Sequence, residues 1–169
     1  MKFKESILHC SDELIESFNL QIEETRSILN RVDWKEEFTI QVEDNRFDHQ
    51  RGYNKAFEIE FEKLGWEIQP KLREAPNLVG DFRKGLVFVE VQFGNSSTLY
   101  RDFYKFQYGL QNGLLSLAVL IVPNNEYDFF PTRRSSVQNM ANSKLAESYF
   151  TVLPINVPTW IIGLIPGNF

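Results

Sequence analysis

Val79-Gly80-Asp81-Phe82-Arg83-Lys84-Gly85-Leu86-Val87-Phe88-Val89-Glu90-Val91-Gln92-Phe93 reads as a β-hairpin whose second arm is apolar except at Glu90 and Gln92. Side chains alternate along a strand. Glu90 and Gln92 therefore share a face with Leu86 and Phe88, while Val87, Val89, Val91 and Phe93 take the other. Asp81 precedes the expected turn, Arg83-Lys84-Gly85. A buried strand must satisfy such polar intrusions, because each unpaired polar atom costs about 1–3 kcal/mol. A metal ion and a reacting group would satisfy these.

Downstream, Gly94-Asn95-Ser96-Ser97 is a polar break. Leu99, Phe103, Phe106 and Leu110 then mark a helix over 98–111, closed by Asn112-Gly113. Leu114 to Val122 is a nearly continuous apolar run stopped by Pro123, as expected of a strand covered on both faces. Strand 86–93, helix 98–111 and strand 115–122 together predict a right-handed βαβ unit. Ser135 or Ser136 is the expected cap of a further helix with Val137, Met140, Ala141, Leu145 and Tyr149 inward. Thr159 to Ile165 is expected as a last strand.

Upstream, Ser11-Asp12-Glu13 is a helix start. Leu14, Phe18, Ile22, Thr25, Leu29 and Val32 continue it as one amphipathic face, which lies on the domain or pairs with a second copy. Glu37 to Val42 alternates as a short strand. A second helix runs from about His49 to Leu64, with Tyr53, Ala56, Phe57, Phe61 and Leu64 on one face and Asn54 and Glu58 along its border. Trp66 to Ile68 is expected as another short strand, ended by Pro70.

No repeat or linker interrupts these 169 residues. The expectation is a single α/β domain, 1–169, with a central mixed β-sheet flanked by helices. Within it, 1–34 is the N-terminal helix and a candidate dimer contact, 50–122 the core around the hairpin, and 123–169 a loop, helix and last strand. The 15 phenylalanines point to a core of large aromatics. Cys10, the single cysteine, excludes an internal disulfide and fits a reducing compartment. The basic start Met1-Lys2-Phe3-Lys4-Glu5 precedes no long apolar run, and Leu114–Val122 is too short to span a bilayer, so a cytoplasmic chain without a membrane segment is expected. The net charge of −5 weighs against a nucleic-acid binder, but acids thin out after Gln92, where Arg101, Lys105, Arg133, Arg134 and Lys144 stand out.

Magnesium prefers hard oxygen ligands and keeps several waters, so two carboxylates suffice. Asp81 and Glu90 supply them if the hairpin brings them together. Gln92 can donate an amide N–H to a water or a phosphate oxygen, but it cannot serve as a general base.

Asp81, a hairpin, then Glu90-Val91-Gln92 resembles the nuclease superfamily whose signature is P-D…(D/E)-x-K, with Gly80 where proline is usual and Gln92 where lysine is usual. The glutamine, followed by Phe93-Gly94-Asn95, is similar to the BglII/BstYI family of type II restriction endonucleases. That resemblance covers 50–122. It implies a restriction-endonuclease-like core and a Mg2+-dependent enzyme, with Mn2+ able to substitute, that cuts double-stranded DNA as a homodimer. It also implies a palindromic site with a GATC core. By the same resemblance Asp81 and Glu90 are metal ligands and Gln92 the third catalytic position. Asn54, with Glu58 as alternate, is the helix-borne active-site residue. Asn95, with Ser96 and Ser97 beside it, contacts bases.

Arg101 and Lys105, one turn apart, either meet phosphates or form a solvated face. Thr132-Arg133-Arg134-Ser135-Ser136 places guanidiniums and hydroxyls at an expected helix N-terminus, which favours phosphate. Arginine can also read guanine in the major groove. Two other readings remain at this point. One is a structure- or lesion-directed nuclease on the same core, and the other is a non-catalytic DNA-binding module.

Overall fold

The structure, a computed structural model, describes all residues except 34–38, 49, 75–76, 130–138 and 168–169. In chain order it contains β1 (Lys2–Leu8), α1 (Asp12–Ser17), α2 (Asn19–Arg31), β2 (Thr39–Val42), β3 (Asn45–Asp48) and α3 (Gln50–Lys63). The hairpin region follows as β4 (Glu67–Ile68), β5 (Lys71–Arg73), β6 (Leu78–Val79), β7 (Phe82–Lys84) and β8 (Val87–Val91). The chain continues with α4 (Thr98–Gln111), β9 (Leu117–Pro123), α5 (Glu126–Phe129), α6 (Ser143–Val152) and β10 (Thr159–Ile165). One mixed six-stranded sheet in the order β1-β10-β9-β8-β7-β4 organises them.

The three middle strands, β8, β9 and β10, run parallel, and every residue of β8 and β9 is buried. This is the pattern that unbroken apolar runs predict. Strands β1 and β7 flank them antiparallel, and β4 pairs antiparallel with β7, so it runs with the middle strands. The even positions of β8 and β9, Phe88, Ala118, Leu120 and Val122, pack with Leu99, Phe103 and Phe106 of α4 and Ala146 and Phe150 of α6. The odd positions, Val87, Val89, Val91, Val119 and Ile121, pack with Ile22, Ile28 and Leu29 of α2 and Tyr53, Phe57 and Phe61 of α3. The period-two pattern of the opening stretch thus assigns Glu90 and Gln92 to the α4 side.

Four sequence expectations shift. The hairpin turn lies at Gly85-Leu86, since Lys84 pairs with Val87. Gly85 takes φ +60°, the conformation that glycine supplies at the first position of a two-residue turn. The N-terminal helix is broken at Phe18 (φ −113°, ψ 19°) into α1 and α2. Ser11 caps α1 by accepting from Leu14 N, as expected. The apolar face of α2 is buried in its own chain. The last helix is capped by Asn142, whose side chain accepts from Leu145 N at 2.9 Å, so Met140 and Ala141 precede it; the expected caps Ser135 and Ser136 lie outside the described residues. Residues just before it are held extended against the loop after β8, with Ser96 N donating to Asn139 O and Ala141 N to Gly94 O. No strand was expected at Lys2–Leu8, where alternating charges on an edge strand hide the pattern. Among the described residues no helix is long and apolar enough to cross a membrane.

Candidate active site

Three elements converge where β8 ends. The first is the bend before β7, which carries Asp81. Gly80 is required there: a Cβ would stand 1.9 Å from the Phe88 ring, itself fully buried against Phe106. Proline would meet the same ring, which accounts for glycine at this position of the motif. The bend is pinned by Gln69 N donating to Asp81 O at 2.8 Å and Gly80 N to Pro70 O at 3.0 Å.

Asp81 then reaches across to β8, where its Oδ2 accepts from Val91 N at 2.8 Å. Its carboxyl lies close enough to that of Glu90 for the two to interact electrostatically. The hairpin therefore brings together the two carboxylates expected from the sequence. Burial pushes the Asp81 pKa up, against the Val91 N–H and Lys105, which pull it down.

Glu90 is only 3% exposed. Its Oε2 accepts from Lys105 Nζ at 2.7 Å, while its Oε1 has no partner among the described residues. Two ionised carboxylates cannot donate to each other, so the oxygens facing across this pair need a proton or a cation. Burial raises the Glu90 pKa well above the usual carboxylate range, and the neighbouring Asp81 charge adds to it; Lys105 opposes both.

The third element is α4. Lys105, considered above with Arg101 as a phosphate contact or part of a solvated face, is instead buried, with its ammonium on Glu90 Oε2 and, at 3.1 Å, on Asp102 Oδ1. Desolvation would lower its pKa, but Glu90, Asp102 and Asp81 outweigh that and raise it. Arg101 remains exposed on the same helix.

Gln92 closes the cluster. Its Nε2 donates to Asp102 Oδ2 at 2.9 Å and its Oε1 accepts from Gly94 N at 2.8 Å. Asp102 was not anticipated. The available signal was its place three residues after Leu99 and four before Phe106, the spacing of the apolar stripe itself. A buried carboxylate on that stripe needs a partner, and Lys105 three residues on supplies one.

On the other side of Asp81 lies a cleft of about 100 Å³ lined by Asn54, Glu58, Ile68, Gln69, Asp81, Phe82 and Val91. Both helix-borne candidates therefore face the Asp81 site. Glu58 is engaged by Lys55 Nζ at 2.6 Å, whereas Asn54 is exposed. Asn95 is also exposed, and its Oδ1 accepts from Ser97 N at 2.9 Å, which shapes the loop into α4. Ser96 is half-buried and Ser97 exposed. Arg133, Arg134, Ser135 and Ser136 lie outside the described residues.

Among the described residues no group of three or more His, Cys, Asp or Glu side chains is arranged to hold a metal. The donor set nonetheless fits a hard divalent cation, because such an ion keeps waters and needs few protein ligands. Asp81 and Glu90 offer two carboxylates and an orphaned buried oxygen. Charge agrees: Asp81, Glu90 and Asp102 against Lys105 leave two negative charges for the ion to balance.

Comparison with known proteins follows the same lines. Residues 3–164 match the model of the family described as restriction endonuclease BglII/BglIII. A search of curated proteins finds no significant match. Among solved structures, restriction endonuclease BglII complexed with a DNA 16-mer superposes over 99% of this chain and 79% of that one, with a TM-score of 0.80 at 17% identity. At that identity the likeness speaks for the fold alone. The family match spans nearly the whole chain, so this protein belongs to the BglII/BglIII family of restriction endonucleases and is a site-specific deoxyribonuclease.

Proposed function

We propose that this chain hydrolyses phosphodiester bonds of double-stranded DNA at a short palindromic site, using Mg2+, for which Mn2+ can substitute. The observation that carries this reading is the unpartnered Oε1 of buried Glu90 at the end of a parallel strand, beside Asp81, which itself lines an open cleft. Asp81 and Glu90 would hold the ion. When bound, it supplies Lewis-acid activation of water and neutralises charge at a phosphoryl oxygen.

The protein's own groups do the rest. Val91 N–H fixes one Asp81 oxygen, and Lys105 fixes one Glu90 oxygen, so both carboxylates are oriented before substrate arrives. Gln92 retains one N–H and one lone pair beyond its bonds within the protein, enough to orient a water or a phosphate oxygen. Asn54 faces the cleft with a free carboxamide and is favoured over Glu58, which Lys55 engages. Proximity and orientation of this kind account for much of the barrier reduction in phosphoryl transfer.

DNA contact falls to the edge around the strand end. In this reading Asn95 contacts an adenine edge and Ser96, Ser97 and Arg101 contact backbone, while Arg133, Arg134, Ser135 and Ser136, which lie outside the described residues, supply further contacts. BglII, the solved relative named above, is described as complexed with a DNA 16-mer, and the same class of partner suits this chain. A homodimer places two such sites about a two-fold axis, as a palindrome cut on both strands requires. A GATC core follows the family resemblance.

Digestion of a sequenced plasmid with Mg2+, followed by mapping of the ends, tests this. Discrete fragments whose ends share one palindrome are expected. Intact plasmid over varied DNA, or ends scattered without a common sequence, would sink the proposal.

A further inference from the structure

The hydrogen bonds around β8 form an unbroken chain. Gly94 N donates to Gln92 Oε1, Gln92 Nε2 to Asp102 Oδ2, Lys105 Nζ to Asp102 Oδ1, and the same ammonium to Glu90 Oε2, at 2.8, 2.9, 3.1 and 2.7 Å. Both ends of the Gln92 amide are fixed by chemistry that admits one orientation. A backbone N–H can only donate, and the Asp102 carboxylate can only accept. Asp102 and Lys105 are 2% and 6% exposed, so the middle of the chain is closed to solvent, while Gln92 is half-buried. Both project from one helix, α4, at a spacing of three residues, and share a face with Glu90 and Gln92.

Two features of this chain are unusual for a plain structural salt bridge. It ends on a carboxylate whose second oxygen is left without a donor. It also starts from an amide in the position where the superfamily motif usually carries a lysine. Buried charges are costly to assemble and contribute little net stability even when well paired. Two buried acids and a half-buried third arranged about one base gain little by themselves.

We propose that Asp102 and Lys105 are positioning residues for the cleavage reaction: Lys105 supplies from α4 the positive charge that Gln92 cannot supply from β8, and Asp102 sets which way the Gln92 amide faces. The inference rests on the nuclease reading above. Lys105 acts through Glu90, turning one oxygen onto its ammonium and leaving the other toward Asp81. Asp102 acts through Gln92, leaving one amide N–H directed away from the protein. The four side chains then work as one unit, so removing any link should cost nearly as much as removing two.

The test uses Lys105→Met, which keeps the stem and removes the charge, and Asp102→Asn, which leaves a single acceptor oxygen where Gln92 and Lys105 both donate. Each is measured for single-turnover cleavage at saturating Mg2+ and for Mn2+ affinity by calorimetry without DNA. Loss of a supporting hydrogen-bond partner typically costs about 10–100-fold, and that drop in cleavage is expected for each variant. Mn2+ affinity should stay within about threefold of the unaltered protein or tighten, since a nearby positive charge is gone in one and an amide of equal size stands in the other. The double variant should cut no more than about threefold slower than the weaker single.

Cleavage at the unaltered rate in either variant overturns the proposal. So does a fall in Mn2+ affinity that parallels the fall in cleavage, which would show only a collapsed site. Should Lys105→Met fail to fold, Asp102→Asn alone decides by the same two readouts. Should the unaltered protein bind Mn2+ yet cut no DNA, the nuclease reading falls by itself. Lys105→Met must then still bind Mn2+ no more weakly than the unaltered protein, and weaker binding overturns the positioning role as well.

Discussion

The β7–β8 hairpin carries a polar cluster at each end, and the two are built on opposite rules. At the turn end, Lys84 Nζ donates to both oxygens of Glu24 at 2.7 and 2.8 Å and to Leu64 O at 2.9 Å. The Trp66 indole N–H adds a bond to Glu24 at 2.8 Å. One ammonium meets one carboxylate, and all three of its protons have acceptors. At the strand end, Asp81, Glu90 and Asp102 share Lys105, and Glu90 Oε1 is left over. The first cluster ties α2 and the end of α3 to the hairpin. The second is held by the packing around it in a state its own charges disfavour. Charge balance and hydrogen-bond completeness thus separate a structural lock from a reactive site on the same two strands.

Substituting Glu90 with Gln breaks this comparison most strongly. The amide keeps the volume and can still accept from Lys105, but it relieves the repulsion with Asp81. Cleavage should fall by at least about a thousandfold, roughly 4 kcal/mol of barrier. The melting temperature of the metal-free protein should hold or rise, which a thermal melt beside a single-turnover assay will show. A variant that loses cleavage only because it unfolds would place the Glu90 cluster in the same class as the Lys84 one.

Much of this was legible before any coordinates, and the failures have physical causes. Strict alternation gave β8 and the faces of Glu90 and Gln92, because a strand buried on both sides leaves no other pattern. Apolar length gave β9 and β10. Position in the motif singled out Asp81, which the fold sets beside Glu90, and the Gly80–Phe88 contact explains why glycine stands where proline is usual. What misled was charge. On the edge strand β1, Lys2, Lys4 and Glu5 are exposed and mask a strand. On α4, Lys105 reads as a surface cation, because basic residues near an apolar stripe usually reach solvent along their stems. Its burial depends on Glu90, fifteen positions earlier, and no local period can report that. The break at Phe18 was equally invisible, since apolar spacing continues through it.

Lys84→Met sharpens the contrast from the structural side. Lys84 and Glu24 keep 27% and 17% of their side-chain surface, so their pairing is partly screened. Removing the ammonium leaves Glu24 with the Trp66 N–H and strands the Leu64 carbonyl. A loss of about 1–2 kcal/mol is expected, or about 3–8 °C in Tm for a chain of this size. Cleavage per folded molecule should not change. A drop in cleavage at temperatures where the variant is fully folded would show that the lock also sets the geometry of the site.

The smallest effect is a slope rather than a level, and it tests whether the two clusters differ in the state of their protons. Glu90 holds its proton more tightly in the fold than in the unfolded chain, because burial and Asp81 both disfavour its charge; Asp81 shifts the same way. Between the ordinary carboxylate range and the raised Glu90 value, the native state therefore carries the extra proton. Stability of the metal-free protein should decline as pH rises through that window, by at most about 1.4 kcal/mol for each pH unit per group. Below the window both states are protonated and this slope vanishes. Glu13 and Glu60, whose pKa values are lowered, add stability with rising pH only below the ordinary range, so they do not mask it. Denaturant melts across pH should show the decline in the unaltered protein and a flatter curve in Glu90→Gln, which lacks the main titrating group. A cation that takes the place of the proton should lift the alkaline side by mass action. Metal-free stability that climbs through the window, with Glu90→Gln running parallel to it, would mean that Lys105 neutralises Glu90 as fully as Lys84 does Glu24.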